Sequence, residues 1–349
     1  MKNLSPLAWV TALLVSFGVL VVGCSDGPPA ADAASPASTP NTRTDEDRGD
    51  AGAARAEPPA PAPVICEGKT GAPGDGDIEL TSSGIAREAM IHVPPSHDGI
   101  HGLPVVLVLH PLLLTYKDMR KLAQVEPHAD DAEHGFIALF PNGIDRSWNA
   151  GECCGEAKDE QIDDVGFIRE LLEHVKSKWC VDPARIYAMG FSNGAFLSHR
   201  LACELPGGLR AIVPVAGTLG IPASSCKPER PTPVLAIHGT DDDLVPYEGG
   251  PPKIPRGASF GTFLSPAETD AFWAKANGCG PAGEPYFIRG EVSCARHEGC
   301  TNDASVGLCT VTGGGHQWPG PKSLPAMGHL TKDIHATQAA IDLFRRHGL

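Results

Sequence analysis

A serine between two glycines is the first feature of this sequence that could do chemistry. Residues 186–194 read Ile-Tyr-Ala-Met-Gly-Phe-Ser-Asn-Gly, a short apolar run that ends in Gly-x-Ser-x-Gly around Ser192. The apolar run predicts a strand, and residues 195–203 predict a helix. A serine on such a sharp strand-to-helix turn points outward, and the helix N-terminus favours negative charge beside it. We interpret Ser192 as a nucleophile; the alternative is an ordinary strand–helix turn.

A serine hydroxyl needs a base to take its proton and an acid to orient that base. Downstream of Ser192 the chain has an acidic turn, Asp241-Asp242-Asp243, and a glycine-rich loop around His316. Each segment follows a predicted strand, so we expect both at the sheet edge that carries Ser192. His316 is the predicted base. By contrast, His238 is expected to be a buried hydrogen-bonding residue at a strand end.

These residues must be held by a sheet with helices packed against it. Apolar and β-branched runs predict strands at 77–81, 87–93, 104–109, 136–140, 185–189, 209–215, 233–238 and 308–312. Helical spacing predicts helices at 116–132, 162–179, 266–277 and 333–347, in addition to the one after Ser192. Asp182-Pro183 is expected to break the second of these. Strands that alternate with helices predict an α/β fold with a mainly parallel central sheet.

Charge and cysteine content restrict the possible functions. The chain has 349 residues and a net charge of -14, which argues against nucleic-acid binding. Eleven cysteines indicate an oxidising compartment. Setting Cys24 aside leaves ten, enough for five disulfides. We expect Cys153 and Cys154 to bridge outward, because a bond between neighbours strains the backbone.

The N-terminus predicts export. Lys2 precedes an apolar run at 7–22 that is too short for a comfortable membrane span, and the run ends Val-Val-Gly-Cys at Cys24. This resembles a bacterial lipobox, which implies cleavage after residue 23 and a lipid on Cys24; the alternative is a plain secretory signal. Residues 24–63 lack large apolar side chains and predict a disordered tether. Residues 64–349 form the predicted catalytic domain, anchored outside the cytoplasm or secreted.

Longer motifs resemble a known family. Residues 238–247 read His-Gly-Thr-x-Asp-x-x-Val-Pro-Tyr and residues 313–320 read Gly-Gly-Gly-His-x-Trp-Pro-Gly. With 147–154, 163–168 and 331–337, they resemble the secreted feruloyl esterases and polyhydroxybutyrate depolymerases. These belong to the family 1 carbohydrate esterases of the α/β-hydrolase superfamily. The resemblance covers residues 64–349 and implies an α/β-hydrolase fold.

The resemblance implies roles for single residues. The nucleophile is Ser192, the base is His316, and the acid is Asp242, because the family places the acid four residues after the histidine of the first motif. Asp241 and Asp243 are then solvated turn residues. No metal or organic cofactor is implied. The pair at residues 163 and 164 is expected to start a helix and not to bind a metal.

The expected oxyanion hole departs from the family pattern. One donor should be the backbone N–H of Asn193. The family usually continues His-Gly where this chain has His110-Pro111, and proline has no N–H. The second donor is therefore expected to be the Leu112 backbone.

Three side chains are candidates to line the substrate cleft. Leu113 lies beside the expected oxyanion donor. Trp148 lies in the motif at residues 147–154, and Trp318 lies in the motif at residues 313–320. Packing in the interior is the alternative for all three.

Together these features predict a serine esterase outside the cytoplasm that hydrolyses carboxylic esters through an acyl-enzyme. Feruloyl, acetyl or short hydroxyalkanoate esters are the expected substrates. A polyhydroxybutyrate depolymerase is the alternative within enzymes, and a non-catalytic surface binding lipoprotein is the alternative from another class. The expected partners are the ester substrate and a membrane. The membrane is expected to be contacted only through the N-terminal lipid.

Overall fold

The computed structural model describes residues 63–349, without the side chains of residues 258 and 259. The expected signal peptide, Cys24 and all but the last residue of the expected tether lie outside the described residues. No helix in the described part is long and apolar enough to cross a membrane.

One mixed sheet runs through the described chain. Its strands are β1 Gly74–Ser82, β2 Ile85–Val93, β3 Leu103–Leu109, β4 Ile137–Pro141, β5 Val181–Phe191, β6 Ala211–Val215, β7 Val234–Gly239, β8 Phe287–Arg289, β9 Val292–His297 and β10 Val306–Val311. Their order is β1-β2-β4-β3-β5-β6-β7-β10-β9-β8. The six strands from β4 to β10 in this order pair in parallel, and the strands at both ends pair antiparallel. The expected mainly parallel sheet is confirmed.

Helices cover both faces of the sheet. They are α1 Tyr116–Ala123, α2 Glu126–Ala129, α3 Glu156–Asp159, α4 Asp164–Lys178, α5 Asn193–Glu204, α6 Pro266–Ala276 and α7 Ala336–Arg346. Side chains of β3 alternate between the faces: Val105 and Leu107 pack with α4, α5 and α6, whereas Val106 and Val108 pack with α1, α2 and α7. Burial on both faces explains why the central strands are continuous apolar runs.

Several expected elements differ from the structure. The helix expected at 116–132 is two helices, because Gln124 adopts a left-handed conformation (φ 49°) that ends α1. Helix α4 ends at Lys178, before the Asp182-Pro183 pair that was expected to break it. Asp182 lies instead inside β5, in the segment where the pairing with β3 shifts register. Strands β8 and β9 were not expected, since β8 is three residues long with Ile288 71% exposed, and β9 buries only Val292 and Cys294 as apolar residues.

Five disulfides pair all ten cysteines of the described chain, as expected. They are Cys66–Cys180, Cys153–Cys154, Cys203–Cys226, Cys279–Cys300 and Cys294–Cys309. The expectation that Cys153 and Cys154 would bridge outward is wrong. Both cysteines are buried, and their loop is held by backbone hydrogen bonds, from Ala150 to Cys153 at 3.1 Å and from Glu152 to Gly220 at 2.7 Å. The other eight cysteines of the described residues pair among themselves.

Candidate active site

Ser192 lies on a strained turn between β5 and α5. Its φ is 53° and its ψ is -120°, a conformation that a residue with a side chain rarely adopts. The glycines on either side make the turn possible. A Cβ at Gly190 would lie 2.2 Å from the carbonyl oxygen of Gly194, and one at Gly194 would lie 2.3 Å from that of Leu109. The expected strand, sharp turn and helix are confirmed.

The acidic turn and the histidine loop meet across two neighbouring strands. The turn follows β7, the loop follows β10, and the two strands pair in parallel. His316 Nδ1 lies 2.7 Å from Asp242 Oδ2. The other carboxylate oxygen accepts hydrogen bonds from the N–H groups of Leu244 at 2.9 Å and Val245 at 2.8 Å. Asp242 is fully buried, whereas the two aspartates beside it are exposed.

The surroundings of Asp242 favour its charged form. Burial alone raises the pKa of this carboxyl, but the charges and hydrogen bonds of His316 and His238 outweigh burial and lower the pKa below its usual value. An ionised carboxylate accepts the Nδ1–H of His316 and so leaves Nε2 without a proton in the neutral ring. His238 is buried and donates from Nε2 to the Val245 carbonyl at 2.8 Å, which matches its expected role.

Ser192 and His316 line the same cavity of about 480 Å³. The remaining lining is apolar. It comprises Pro111, Leu112, Leu113, Leu114, Cys153, Cys154, Phe191, Leu244, Val245, Pro252, Ile254, Phe260, Phe263, Leu324, Pro325 and Met327. Among the lining residues no side chain carries a charge, apart from His316 when it is protonated. The cavity therefore suits an uncharged, apolar group next to the serine.

Two free amide groups lie in the segments where an oxyanion hole was expected. In the described part of the chain, the N–H groups of Leu112 and Asn193 make no hydrogen bond to a protein acceptor. The next two amides of the first loop are occupied, since Leu113 donates to Arg146 at 2.9 Å and Leu114 to Pro111 at 3.3 Å. Of the amides at residues 112 to 114, only that of Leu112 is therefore available to a ligand.

His110 fixes the loop that carries Leu112. Its Nδ1 donates to the Pro111 carbonyl at 2.9 Å, and its Nε2 accepts the N–H of Gly143 at 2.8 Å. Only the neutral ring can make both bonds. Burial lowers the pKa of His110 to about 4, so the ring is neutral at pH 7.

Of the three candidates for lining the cleft, only Leu113 lines the cavity, with 60% of its surface exposed. The two tryptophans are fully buried and outside the lining, which corrects the expectation in favour of packing. Trp148 donates from Nε1 to the His110 carbonyl at 3.0 Å. Trp318 packs edge-on against Phe191, with ring centroids 6.3 Å apart. Trp148 therefore holds His110 in position, and Trp318 supports Phe191 without lining the cavity.

The aspartates at the start of α4 are structural. Asp163 caps the helix by accepting the N–H of Gly166 at 2.8 Å. Asp164 is buried against Arg87 at 2.6 Å and accepts the Asn149 N–H at 2.7 Å. No cluster that could hold a metal occurs among the described residues.

Sequence reasoning missed one wall of the cavity. Pro252, Ile254, Phe260 and Phe263 lie between the acidic turn and α6, in a stretch with no predicted element. Apolar side chains in a segment without strand or helix periodicity were the available signal, because such residues need a partner surface.

A strained serine on a strand-to-helix turn, beside a buried Asp–His pair at one edge of a mainly parallel sheet, defines an α/β-hydrolase. The comparisons agree. A family model for phospholipases and carboxylesterases matches residues 156–251. The acetyl xylan esterase from Aspergillus awamori has a similar fold (TM-score 0.52), with 14% identity over 77% of this chain and 99% of that one.

Two curated relatives indicate the family of the chain. Putative esterase NocK of Nocardia uniformis subsp. tsuyamanensis is 30% identical over 281 residues, 76% of this chain and 80% of that protein. Feruloyl esterase B of Piromyces equi is 35% identical over 237 residues, 66% of this chain; the match spans only 42% of that longer protein. The chain belongs to the same esterase family as NocK within the α/β-hydrolase superfamily, and it is similar to the feruloyl esterases. Its class is that of the serine hydrolases that cleave carboxylic esters.

Proposed function

We propose that this chain is an extracytoplasmic esterase in which Ser192 is the nucleophile, His316 the base and Asp242 the acid that orients it. The observation that carries the proposal is the buried Asp242–His316 hydrogen bond of 2.7 Å, with His316 in the wall of the cavity that Ser192 also lines. An activated serine facing an apolar cavity is the arrangement that acyl transfer requires.

The reaction proceeds in two halves. As Ser192 Oγ attacks the ester carbonyl, His316 Nε2 takes its proton, and the carbonyl oxygen becomes an oxyanion held by the N–H groups of Leu112 and Asn193. The C–O bond then breaks, and the proton passes from Nε2 to the departing alcohol. Water, deprotonated by the same nitrogen, attacks the acyl carbonyl; the bond to Ser192 Oγ then breaks as the proton returns from Nε2 to Oγ, which releases the acid and regenerates Ser192.

The cavity favours an uncharged, apolar acyl group. Its lining consists of aliphatic, aromatic, proline and cystine side chains around the serine. This chemistry suits the feruloyl group that the relative from Piromyces equi is named for, and also an acetyl or short hydroxyalkanoate group. Polyhydroxybutyrate remains the second candidate substrate, since the motifs that resemble the feruloyl esterases also resemble its depolymerases.

Replacing Ser192 with alanine tests the nucleophile. We expect Ser192→Ala to lose several orders of magnitude in kcat on 4-nitrophenyl acetate, with an unchanged circular dichroism spectrum. Ser198→Ala is the matched control, because Ser198 lies on the same helix but donates to the Gly194 carbonyl at 2.9 Å.

A fluorophosphonate probe should label the native protein and the Ser198 variant, but not Ser192→Ala. Labelling of the Ser192 variant, or wild-type turnover by it, would refute the assignment. A native protein that neither reacts with the probe nor cleaves any ester would support the non-catalytic binding lipoprotein instead.

A panel of esters tests the substrate class. We expect higher kcat/KM on methyl ferulate and aryl acetates than on hydroxybutyrate oligomers, and slow clearance of a polyhydroxybutyrate suspension. Rapid clearance with negligible turnover of the soluble esters would favour the depolymerase.

We further propose that a lipid on Cys24 anchors the domain outside the cytoplasm. The proposal rests on the lipobox-like sequence before this residue, and the five disulfides of the described domain support an oxidising location. Cys24→Ser should move the protein from the detergent phase to the aqueous phase in a partitioning experiment, with esterase activity unchanged. Detergent partitioning that survives this substitution would point to a different anchor.

A further inference from the structure

The bond between Cys153 and Cys154 lies in the wall of the cavity that contains Ser192. Both residues are almost fully buried, with 2% and 7% of their surface exposed. A disulfide has no S–H hydrogen, so this part of the wall offers a polarizable apolar face and no hydrogen-bond donor. Two free cysteines at the same positions would bring two donors into an apolar cavity.

Stabilisation of the fold does not account for this bond. A disulfide stabilises mainly by restricting the unfolded chain, and the effect grows with the length of the loop that it closes. The other four disulfides join residues 114, 23, 21 and 15 positions apart, whereas Cys153 and Cys154 are 1 apart. Of the five, this one restricts the unfolded chain least. Its value to the protein must therefore be local.

The disulfide contacts the side chain of Asn193, one of the two expected oxyanion donor residues. The side chain of Asn193 accepts the Trp148 N–H at 2.7 Å and donates to the Trp148 carbonyl at 3.0 Å. Its Nδ2 also lies 3.6 Å from Cys153 Sγ. On the other side, a Cβ at Gly155 would lie 2.7 Å from Leu112 Cδ1. The disulfide therefore packs against Asn193, and the next residue in the chain, Gly155, closely approaches Leu112.

We propose that the Cys153–Cys154 disulfide determines acyl specificity by forming a rigid wall against the aryl or bulky acyl part of an ester bound at Ser192. Sulfur makes favourable contacts with aromatic rings, and a ring of two adjacent residues cannot move away from the ligand as two separate side chains can. An acetyl group is too short to use this wall fully. The inference rests on the proposed esterase function.

The test removes the bond and measures selectivity. In Cys153→Ala/Cys154→Ala, we expect kcat/KM on methyl ferulate to fall by about tenfold, mainly through KM, with a smaller loss on 4-nitrophenyl acetate. The matched control is Cys279→Ala/Cys300→Ala, a pair that does not line the cavity. This control should lower Tm and leave the ratio of the two kcat/KM values at its wild-type value.

Each remaining outcome bears on the inference. An unchanged ratio in the alanine variant, with the native protein active, would overturn the inference alone. A native protein inactive on both esters would overturn the proposed function, and this inference with it. If the alanine variant does not fold, the ratio is measured on Cys153→Ser/Cys154→Ser, where new hydroxyls should weaken ferulate binding further. Failure of both variants to fold would show a structural role and refute a role in specificity.

Discussion

Asp241, Asp242 and Asp243 are neighbours in the sequence, but Asp242 has different surroundings in the fold. All three belong to one acidic turn, but only Asp242 is buried, with one oxygen on His316 and the other on two backbone N–H groups. These bonds fix the carboxylate, and the charge of His316 stabilises its ionised form. At the scale of single residues, position within the turn decides which carboxylate can orient the histidine.

Replacing Asp242 with asparagine should keep the shape of the turn and remove the catalytic role of the carboxylate. We expect Asp242→Asn to lower kcat on 4-nitrophenyl acetate by about 10⁴, because the amide favours the histidine tautomer that cannot take the serine proton. Asp241→Asn and Asp243→Asn are matched controls on the same turn and should keep wild-type kcat. A kcat within tenfold of wild type for Asp242→Asn would assign the acid elsewhere.

At the scale of elements, a buried ion pair joins β2 to the loop behind the site. Arg87 on β2 contacts Asp164 at the start of α4, and its guanidinium lies 3.8 Å from the centroid of the Phe167 ring. Asp164 also accepts the Asn149 N–H, in the loop that Asn193 holds through Trp148. Burial raises the pKa of Asp164, and Arg87 opposes this shift. The pair therefore connects a distant strand to the start of α5.

Removing one partner should leave a buried charge without compensation. We expect Asp164→Asn to lower the free energy of unfolding by about 3 kcal/mol. Glu173→Gln is the control on the same helix, where the exposed pair with Lys176 should contribute less than about 1 kcal/mol. Urea denaturation followed by circular dichroism measures both. Equal small losses in the two variants would show that the buried pair adds no more than a surface pair.

At the scale of the whole molecule, buried histidines should make the fold sensitive to acid. Burial lowers the pKa of His110 and His347 to about 4 and that of His199 to about 3. At His347, Arg210 and Arg346 act in the same direction as burial and Asp303 acts against it. All three rings are neutral in the native protein at pH 7.

The direction of the pH effect follows from proton binding. Below about pH 6.5 the unfolded chain protonates these rings, whereas the native chain protonates His110 and His347 only near pH 4 and His199 only near pH 3, so stability present at pH 7 is lost as the pH falls through this window. Each ring should contribute up to about 1.4 kcal/mol per pH unit. His347→Gln should reduce the slope of unfolding free energy against pH, and His134→Gln, on the surface, should not. Equal slopes in the two variants would contradict this account.

Features that depend on neighbours along the chain could be predicted from the sequence. Gly190 before Ser192 indicated the turn, because the collision that it avoids is with Gly194, which is close in sequence. The continuous apolar runs predicted the central parallel strands, because burial on both faces leaves no polar alternation. The even number of cysteines after residue 24 predicted complete pairing.

Features that depend on contacts between distant segments became visible only in the folded chain. Burial removed Trp148 and Trp318 from the cleft, and side-by-side placement of β7 and β10 brought Asp242 to His316, 74 positions away. Strand β9 pairs with β10 and β8 pairs with β9, so both depend on the sheet edge that β10 provides and not on their own composition. The bond between Cys153 and Cys154 depends on how the fold places two buried neighbours, which the sequence does not show. Such choices are made by packing, which a local pattern does not contain.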